Sequence, residues 1–414
     1  MRAAVSRVQS LVQGEPYTSS LLDCNHFIDQ FDYTINTRYQ GVPEKMKPYQ
    51  GNNYETITCD FPGPCPDGVT RPACTWLRFL TVTCEISGDG ALITILTNSM
   101  PNHCYRSDSY YPKGDSGEYQ FYGMNRIQWN LKPREMAKAA INYDNKDFYF
   151  TDLRSQADID GVLCIENWAQ KELLDTNVHY AEVIKGQTQT SNNWKIDSSN
   201  VGQFNLLGLP NSDAVVGIAL NGVFLFSGTS KYGYDAYFPR AYGLNTDPRQ
   251  IEFDVCLGSV ESYNTYRYHM YSPCIYETSI RTKVMMCKED GACSFDLRTY
   301  AAANTPVEAR VILPIGLAKD GRVIYGPYRQ DRQLWQPCDV DICNGRYFGT
   351  YYGYVATMFH PYILGCFGPS NTVKNYYQQC SSNAKICAYA QTNFSFSYIT
   401  LALLSMVLFF TSIY

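Results

Sequence analysis

The sequence predicts a mainly β fold, a disulfide-rich, sandwich-like domain with internally related hairpins and few helices. Three observations carry that expectation. Sixteen cysteines stand in 414 residues, and no two form the C-x-x-C spacing of zinc or redox motifs. β-branched and aromatic runs are punctuated by turn residues. Two apolar segments about a hundred residues apart echo each other around an Asn-Gly and an Asp-Gly.

In chain order, residues 1–79 form a Cys/Pro-rich region, expected to be irregular as far as Cys74 through the punctuation of "CDFPGPCPDGVTRPAC". Strands are expected next. "LRFLTVTCEIS" alternates through Leu77, Phe79, Thr81 and Thr83, and "GALITILTN" is a β-branched run between turn residues. The clearest helical pattern is "GVLCIENWAQKELL", with Leu163, Asn167, Gln170 and Leu174 on a rough helical repeat.

The echo lies further on. "VGIALNGVFLF" starts at Val216 and "IGLAKDGRVIY" at Ile315. Gly217, Ala219, Asn221, Gly222 and Phe226 align with Gly316, Ala318, Asp320, Gly321 and Tyr325. Asn-Gly and Asp-Gly tolerate the positive φ of a tight turn, so each copy reads as a β-hairpin. The small residues before each turn allow another backbone to come close. Two related hairpins facing each other in an all-β core is the expected arrangement.

Charge excludes one class of partner. The net charge is -5 and only 18% of residues are charged, with no basic block to neutralise phosphates, so nucleic acid is not expected. Thirty-five tyrosines suit exposed half-polar surfaces and β-rich packing, and surface proteins or glycans are the expected partners. Sixteen cysteines with close pairs, such as Cys287/Cys293, Cys338/Cys343 and Cys380/Cys387, point to an oxidising compartment and short disulfide-closed loops. No H-E-x-x-H, G-x-S-x-G or Walker sequence is present, which points away from an enzyme.

The two ends bear on targeting. "MRAAVSRVQSLVQGEPYTSS" contains no apolar core long enough for a secretory leader, so the start is read as an incomplete or misassigned gene start. Residues 393–414 form a hydrophobic tail, uncharged from Tyr398 to Tyr414. That run would span roughly 25 Å as a helix, near the short limit for a membrane span. Small residues and a polar spacer precede it, which matches a lipid-anchor signal, with a transmembrane helix as the alternative. Either way the membrane is an expected partner and the cell surface the expected location. Asn393, in "NFS", is the sole glycosylation sequon.

The candidate site is the comb "NTYRYHMYSPC", from Asn264 to Cys274. On a strand, Tyr266 and Tyr268 share one face and Arg267 and His269 the other. Two imidazoles at 267 and 269 could converge on a metal, but a guanidinium is permanently cationic and cannot ligate. Tyr266, Arg267 and Tyr268 therefore read as a structural or binding strand. "CDVDIC" sets Asp339 and Asp341 on one face of a short segment, a possible calcium grouping or a solvated loop tip.

Several spaced stretches together resemble the YHYH-domain proteins: "PNHCY" (Pro101 to Tyr105), "GIALNGVFLF" (Gly217 to Phe226), "DVCLGS…TYRYH" (Asp254 to His269) and "IGLAKDGRVIYGPY" (Ile315 to Tyr328). The resemblance implies a YHYH-like domain over residues 80–328. Residues 329–392 look like the Cys-rich C-terminal extension of secreted eukaryotic members. The resemblance implies a secreted or surface β-rich domain with no established activity. The chain departs from the family at Ser259 and Arg267, where the family carries histidines; His103 and His269 match. The expected function is a non-enzymatic, surface-anchored protein with a recognition or coat role and no cofactor. The alternative is a secreted metal-dependent enzyme or metal carrier using His103 and His269, with copper, zinc or calcium as the candidate ions.

Overall fold

The computed structural model describes residues 17–34, 54–65, 69–88, 90–106, 123–131, 203–206, 215–226, 228, 236–237, 251–260, 266–336, 339–341, 343–358, 362–364 and 367–369. The helix expected around residues 161–174, Asn393 and the tail from Tyr398 to Tyr414 lie outside them. Among the described residues no helix is long and apolar enough to cross a membrane.

The fold is mainly β. The first described element is helix α1 (Leu21–Ile28), started by Ser20, whose hydroxyl accepts from the Asp23 N–H at 3.2 Å. Its buried side, Cys24, Phe27 and Ile28, faces the core; Phe27 stacks on Trp129 at 5.1 Å and Cys24 bonds Cys84. Strands β1 (Glu55–Pro64) and β2 (Thr70–Arg78) form an antiparallel ribbon. Its Cys65–Cys74 and Cys59–Cys104 disulfides tie it to itself and to the segment around Cys104. The stretch expected to be irregular up to Cys74 is therefore ordered over these elements. Proline and glycine hide the strand pattern there, and cross-links supply what periodicity does not show.

Strand β3 (Leu80–Ser87) pairs with β4 (Gly90–Thr97), β4 with β5 (Gly123–Trp129) and β5 with β6 (Gln203–Leu206) in a four-stranded antiparallel sheet. The run expected as one strand from Leu77 breaks at Phe79: Arg78 ends β2 in one sheet and Leu80 opens β3 in another. Arg78 makes that corner. Its buried guanidinium binds Glu55 at 2.7 Å, the Asn221 carbonyl at 2.9 Å and the Asp32 carbonyl.

The second large sheet has eight strands. Strand β7 (Val215–Ala219) turns into β8 (Phe224–Phe226), which lies parallel to β10 (Tyr266–Tyr268), itself antiparallel to β9 (Gly258–Val260). Strand β11 (Pro314–Ala318) turns into β12 (Val323–Tyr325), which lies parallel to β14 (Tyr351–Val355), itself antiparallel to β13 (Gly345–Phe348). The order β9-β10-β8-β7-β11-β12-β14-β13 is thus one four-strand unit written twice.

The two units join through β7 and β11, antiparallel, with Gly316 opposite Ala219, Leu317 opposite Ile218 and Ala318 opposite Gly217. Exchanging the units maps this register onto itself, and its flanking bonds match: Leu220 N–H to Ile315 at 2.9 Å, Lys319 N–H to Val216 at 2.8 Å. A Cβ on Gly217 would press on the Leu317 carbonyl at 2.6 Å, and one on Gly316 would overlap that of Ile218. Glycine is what lets the two backbones meet. The boundary expected at residue 328 falls inside this sheet, which β13 and β14 complete.

The four-stranded sheet lies across both hairpin turns: Thr97 Oγ1 donates to the Gly222 carbonyl at 2.7 Å and the Asn130 N–H to Gly321 at 3.2 Å. One buried apolar core contains side chains from both sheets and α1. Short helix α2 (Gly291–Phe295) holds Cys293, which closes the loop back to Cys287, and α3 (Leu297–Ala303) follows it.

Candidate functional site

The comb residues Tyr266, Arg267 and Tyr268 are all buried on β10. As the alternation requires, they divide between two faces. Tyr266 and Tyr268 pack against His103, with ring centroids 5.4 and 6.2 Å away. Arg267 lies over Phe226 at 4.7 Å, and His269 sits 5.7 Å from the same ring. His103 and His269 thus pack against opposite faces of one segment, and the structure does not bring them together.

His103 is placed by the strand-exit segment after β4. Ser99, at φ 56, turns the chain there; its hydroxyl donates to the Tyr266 carbonyl at 2.9 Å and accepts from the Phe224 N–H at 3.0 Å. The Cys104 carbonyl, 2.9 Å from Nδ1, accepts the ring's proton, which leaves Nε2 to accept from the Tyr268 hydroxyl at 2.6 Å. Asn221 donates to that same hydroxyl at 3.1 Å and to Asn102 at 3.0 Å. Burial pushes the His103 imidazole down to about 3, assisted by Arg281 and Arg78. It is a neutral ring in a neutral network.

Tyr266 donates to Asp254 Oδ2 at 2.8 Å, while Asp254 Oδ1 accepts from the N–H groups of Cys256 at 2.8 Å and Gly258 at 3.1 Å. The loop "DVCLG" needs Leu257 at φ 62, and a Cβ at position 258 would overlap the Tyr266 hydroxyl. Burial raises the Asp254 carboxyl to about 7, although all three donors pull the other way.

The same loop recurs in the second unit. In "DICNG", Asp341 accepts from the N–H groups of Cys343 and Gly345, each at 2.9 Å, and from Tyr352 at 2.7 Å. Asn344 takes φ 60, as Leu257 does, and a Cβ on Gly345 would overlap the Tyr352 hydroxyl. Tyr354 corresponds to Tyr268 and donates to Asp320 at 2.6 Å, the counterpart of Asn221. Asp320 also holds Arg322 at 2.5 Å, both side chains fully buried.

The two aspartates of the expected acidic pair have different partners. Asp341 is buried, with one oxygen serving the loop and the other the Tyr352 hydroxyl, so it is not on a solvated tip. Asp339 pairs with Arg329 at 3.2 Å and accepts from the Gln336 N–H at 2.9 Å. Ser259 and Arg267, where the resembled family has histidines, are direct cross-strand neighbours. In the second unit the arginine has changed strands: Arg346 on β13 faces Gly353 on β14 and lies over Trp335 at 4.6 Å.

Sequence reasoning gave Asp254 no role and offered Asp341 only as a possible calcium ligand; both brace their loops instead. The signal was present: D-[VI]-C-x-G followed by Y-x-Y occurs twice, after each of the two hairpins. Five disulfides join ten of the described cysteines, Cys343 is also bonded, and none of the described cysteines is free. Among the pairs expected from close spacing, Cys287–Cys293 is formed. No family model, curated protein or solved structure matches the chain.

Proposed function

We propose that the chain is a non-enzymatic, disulfide-braced surface protein of the YHYH-domain type, with a recognition or coat-structural role outside the cell. One observation carries this reading: the tyrosine hydroxyls of the comb are consumed by the fold. The Asp254–Tyr266 brace, the strongest acid/base candidate on the page, has a twin in Asp341–Tyr352. A pair that appears in both units, with the same backbone donors, serves the architecture both need. The cross-linked cysteines support an oxidising location, and the apolar tail would hold the protein at the outer membrane face through a lipid anchor. Partners would be surface proteins or glycans, although most of the described tyrosines, Tyr266, Tyr268, Tyr352 and Tyr354 among them, are buried and do not supply that surface.

The test is release of the full chain from intact cells by phosphatidylinositol-specific phospholipase, followed by elemental analysis without chelator. Folded protein should appear in the medium with far less than one transition metal per chain. Stoichiometric metal that is lost on His269→Ala would defeat the non-enzymatic reading. Retention on the cells, with release on deleting residues 398–414, would replace the lipid anchor by a membrane helix.

A further inference from the structure

One juxtaposition is not explained by the brace. His103, Cys256 and Cys274 come from three separate segments, and their ligand atoms all lie within 4.8 Å of one another. All three residues are at most 1% exposed. Cys256 sits in the Asp254 loop, Cys274 in the 3-10 turn Pro273–Ile275, and the two are joined as a disulfide. Among the described residues this is the one group of three histidine, cysteine or acidic side chains so placed. The twin loop of the second unit also carries a bonded cysteine, Cys343, but no such group includes it.

We infer that the Cys256–Cys274 disulfide masks a binding site for a zinc-class divalent cation, opened by thiol reduction and completed by His103. The chemistry balances. A dithiol reductant gives two electrons and two protons to the disulfide and is itself oxidised to a disulfide, leaving a thiol on each of Cys256 and Cys274. The cation then displaces both thiol protons to solvent and keeps its charge of two. Two thiolates and a neutral imidazole give a complex with no net charge, the form a buried site tolerates best.

The geometry needs only side-chain movement. Metal–sulfur bonds of about 2.3 Å in a tetrahedral site place the sulfurs roughly 3.8 Å apart. The Cα atoms stand 5.4 Å apart in the disulfide, so rotation about the two Cα–Cβ bonds supplies the difference. The imidazole already has the required neutral state, its lone pair now taken by the Tyr268 hydroxyl. Zinc-class cations prefer thiolate and imidazole donors of this kind. The fourth position is left to water or to Tyr268.

Cobalt(II) is the probe, because thiolate ligation gives charge-transfer and d–d absorption that reports both sulfur and tetrahedral geometry. The full chain is treated with a dithiol at increasing concentration, circular dichroism confirms that it stays folded, and cobalt is titrated. One equivalent should bind with thiolate bands, and zinc should displace it. The band should be lost in the double variant Cys256→Ser with Cys274→Ser. It should persist with Cys287→Ser and Cys293→Ser, which removes the other short-loop disulfide. His103→Gln, which preserves bulk and hydrogen bonding, should weaken binding at least tenfold and shift the d–d bands. Three results would overturn the proposal: free thiols at 256 and 274 by alkylation without a cobalt band, unchanged affinity in His103→Gln, or reduction of this disulfide only on unfolding.

Discussion

The two units of the eight-stranded sheet share a plan and differ in what fills it. Both carry a glycine-tipped hairpin, a D-x-C-x-G loop held by an aspartate, and a Y-x-Y strand whose first tyrosine bonds that aspartate. The second tyrosine is where they part. Tyr354 is held inside its own unit by Asp320, which also neutralises Arg322. Tyr268 reaches out of its unit to His103, with Asn221 and Asn102 alongside. The difference teaches how to read the comb. What both units contain is a requirement of the fold, whereas His103, Asn221 and the exchange of Arg346 for Arg267 record what the first unit does alone. It receives the segment from Thr97 to Tyr105, and with it, through Cys59–Cys104, the ribbon.

The comparison can be broken most sharply at the hairpin tips. Gly222 and Gly321 have φ values of 85° and 84°. A Cβ at 222 meets flexible side chains, Thr97 at 3.0 Å and Leu80 at 3.1 Å, but at 321 it overlaps the Gln128 carbonyl. Gly321→Ala should cost more than about 4 kcal/mol and Gly222→Ala about 1–2 kcal/mol in denaturant unfolding. Equal losses would mean that the four-stranded sheet grips both tips alike.

Asp320→Asn, which gives the second unit the first unit's residue, should cost about 3 kcal/mol or more, because Arg322 keeps its charge in a fully buried place. Adding Arg322→Val, the residue type at Val223, should recover most of that loss; a double variant no better than the single would contradict the equivalence. Tyr266→Phe and Tyr352→Phe should each cost about 1–2 kcal/mol, by the same amount within error, since each strips one donor from a buried carboxylate that keeps two others. A loss confined to Tyr266 would return the comb to the list of specialised sites.

Much of this was legible in the sequence. The hairpins showed because Asn-Gly and Asp-Gly are local turn signals, and the two faces of the comb followed from strand alternation. The larger repeat was not read, although "DVCLG" and "DICNG" spell it, because a lone aspartate in a loop carries no periodic pattern. Its meaning lies in three donors, one of them contributed by a tyrosine twelve residues on. The partner of Tyr268 could not be read at all. His103 lies far from it in sequence, and a position held by Asp320 in one unit and by an imported histidine in the other obeys no spacing rule. The ribbon of β1 and β2 was obscured for a related reason, since disulfides and the Arg78 corner hold it where apolar alternation is weak.

The last effect is read by pH within the first unit. Burial makes the folded chain hold the Asp254 proton up to about pH 7, whereas the unfolded chain releases it near pH 4. Between those values the folded state binds the extra proton, so this carboxyl's contribution to stability falls as pH rises, by about 1.4 kcal/mol per unit. His103 runs the other way. Its folded imidazole takes a proton only near pH 3, against about 6.5 when unfolded, so its contribution is complete above that upper value and is lost as pH falls. From about pH 4 to 6.5 the two slopes oppose and nearly cancel in the wild type. Asp254→Asn mimics the protonated acid, and relative to wild type it should gain about 1.4 kcal/mol per unit as pH rises through 4 to 7. His103→Gln should lose a similar amount per unit as pH rises over about 3 to 6.5. Urea unfolding at half-unit steps resolves both, and curves parallel to wild type in either variant would show that the buried carboxyl and imidazole keep ordinary proton affinities.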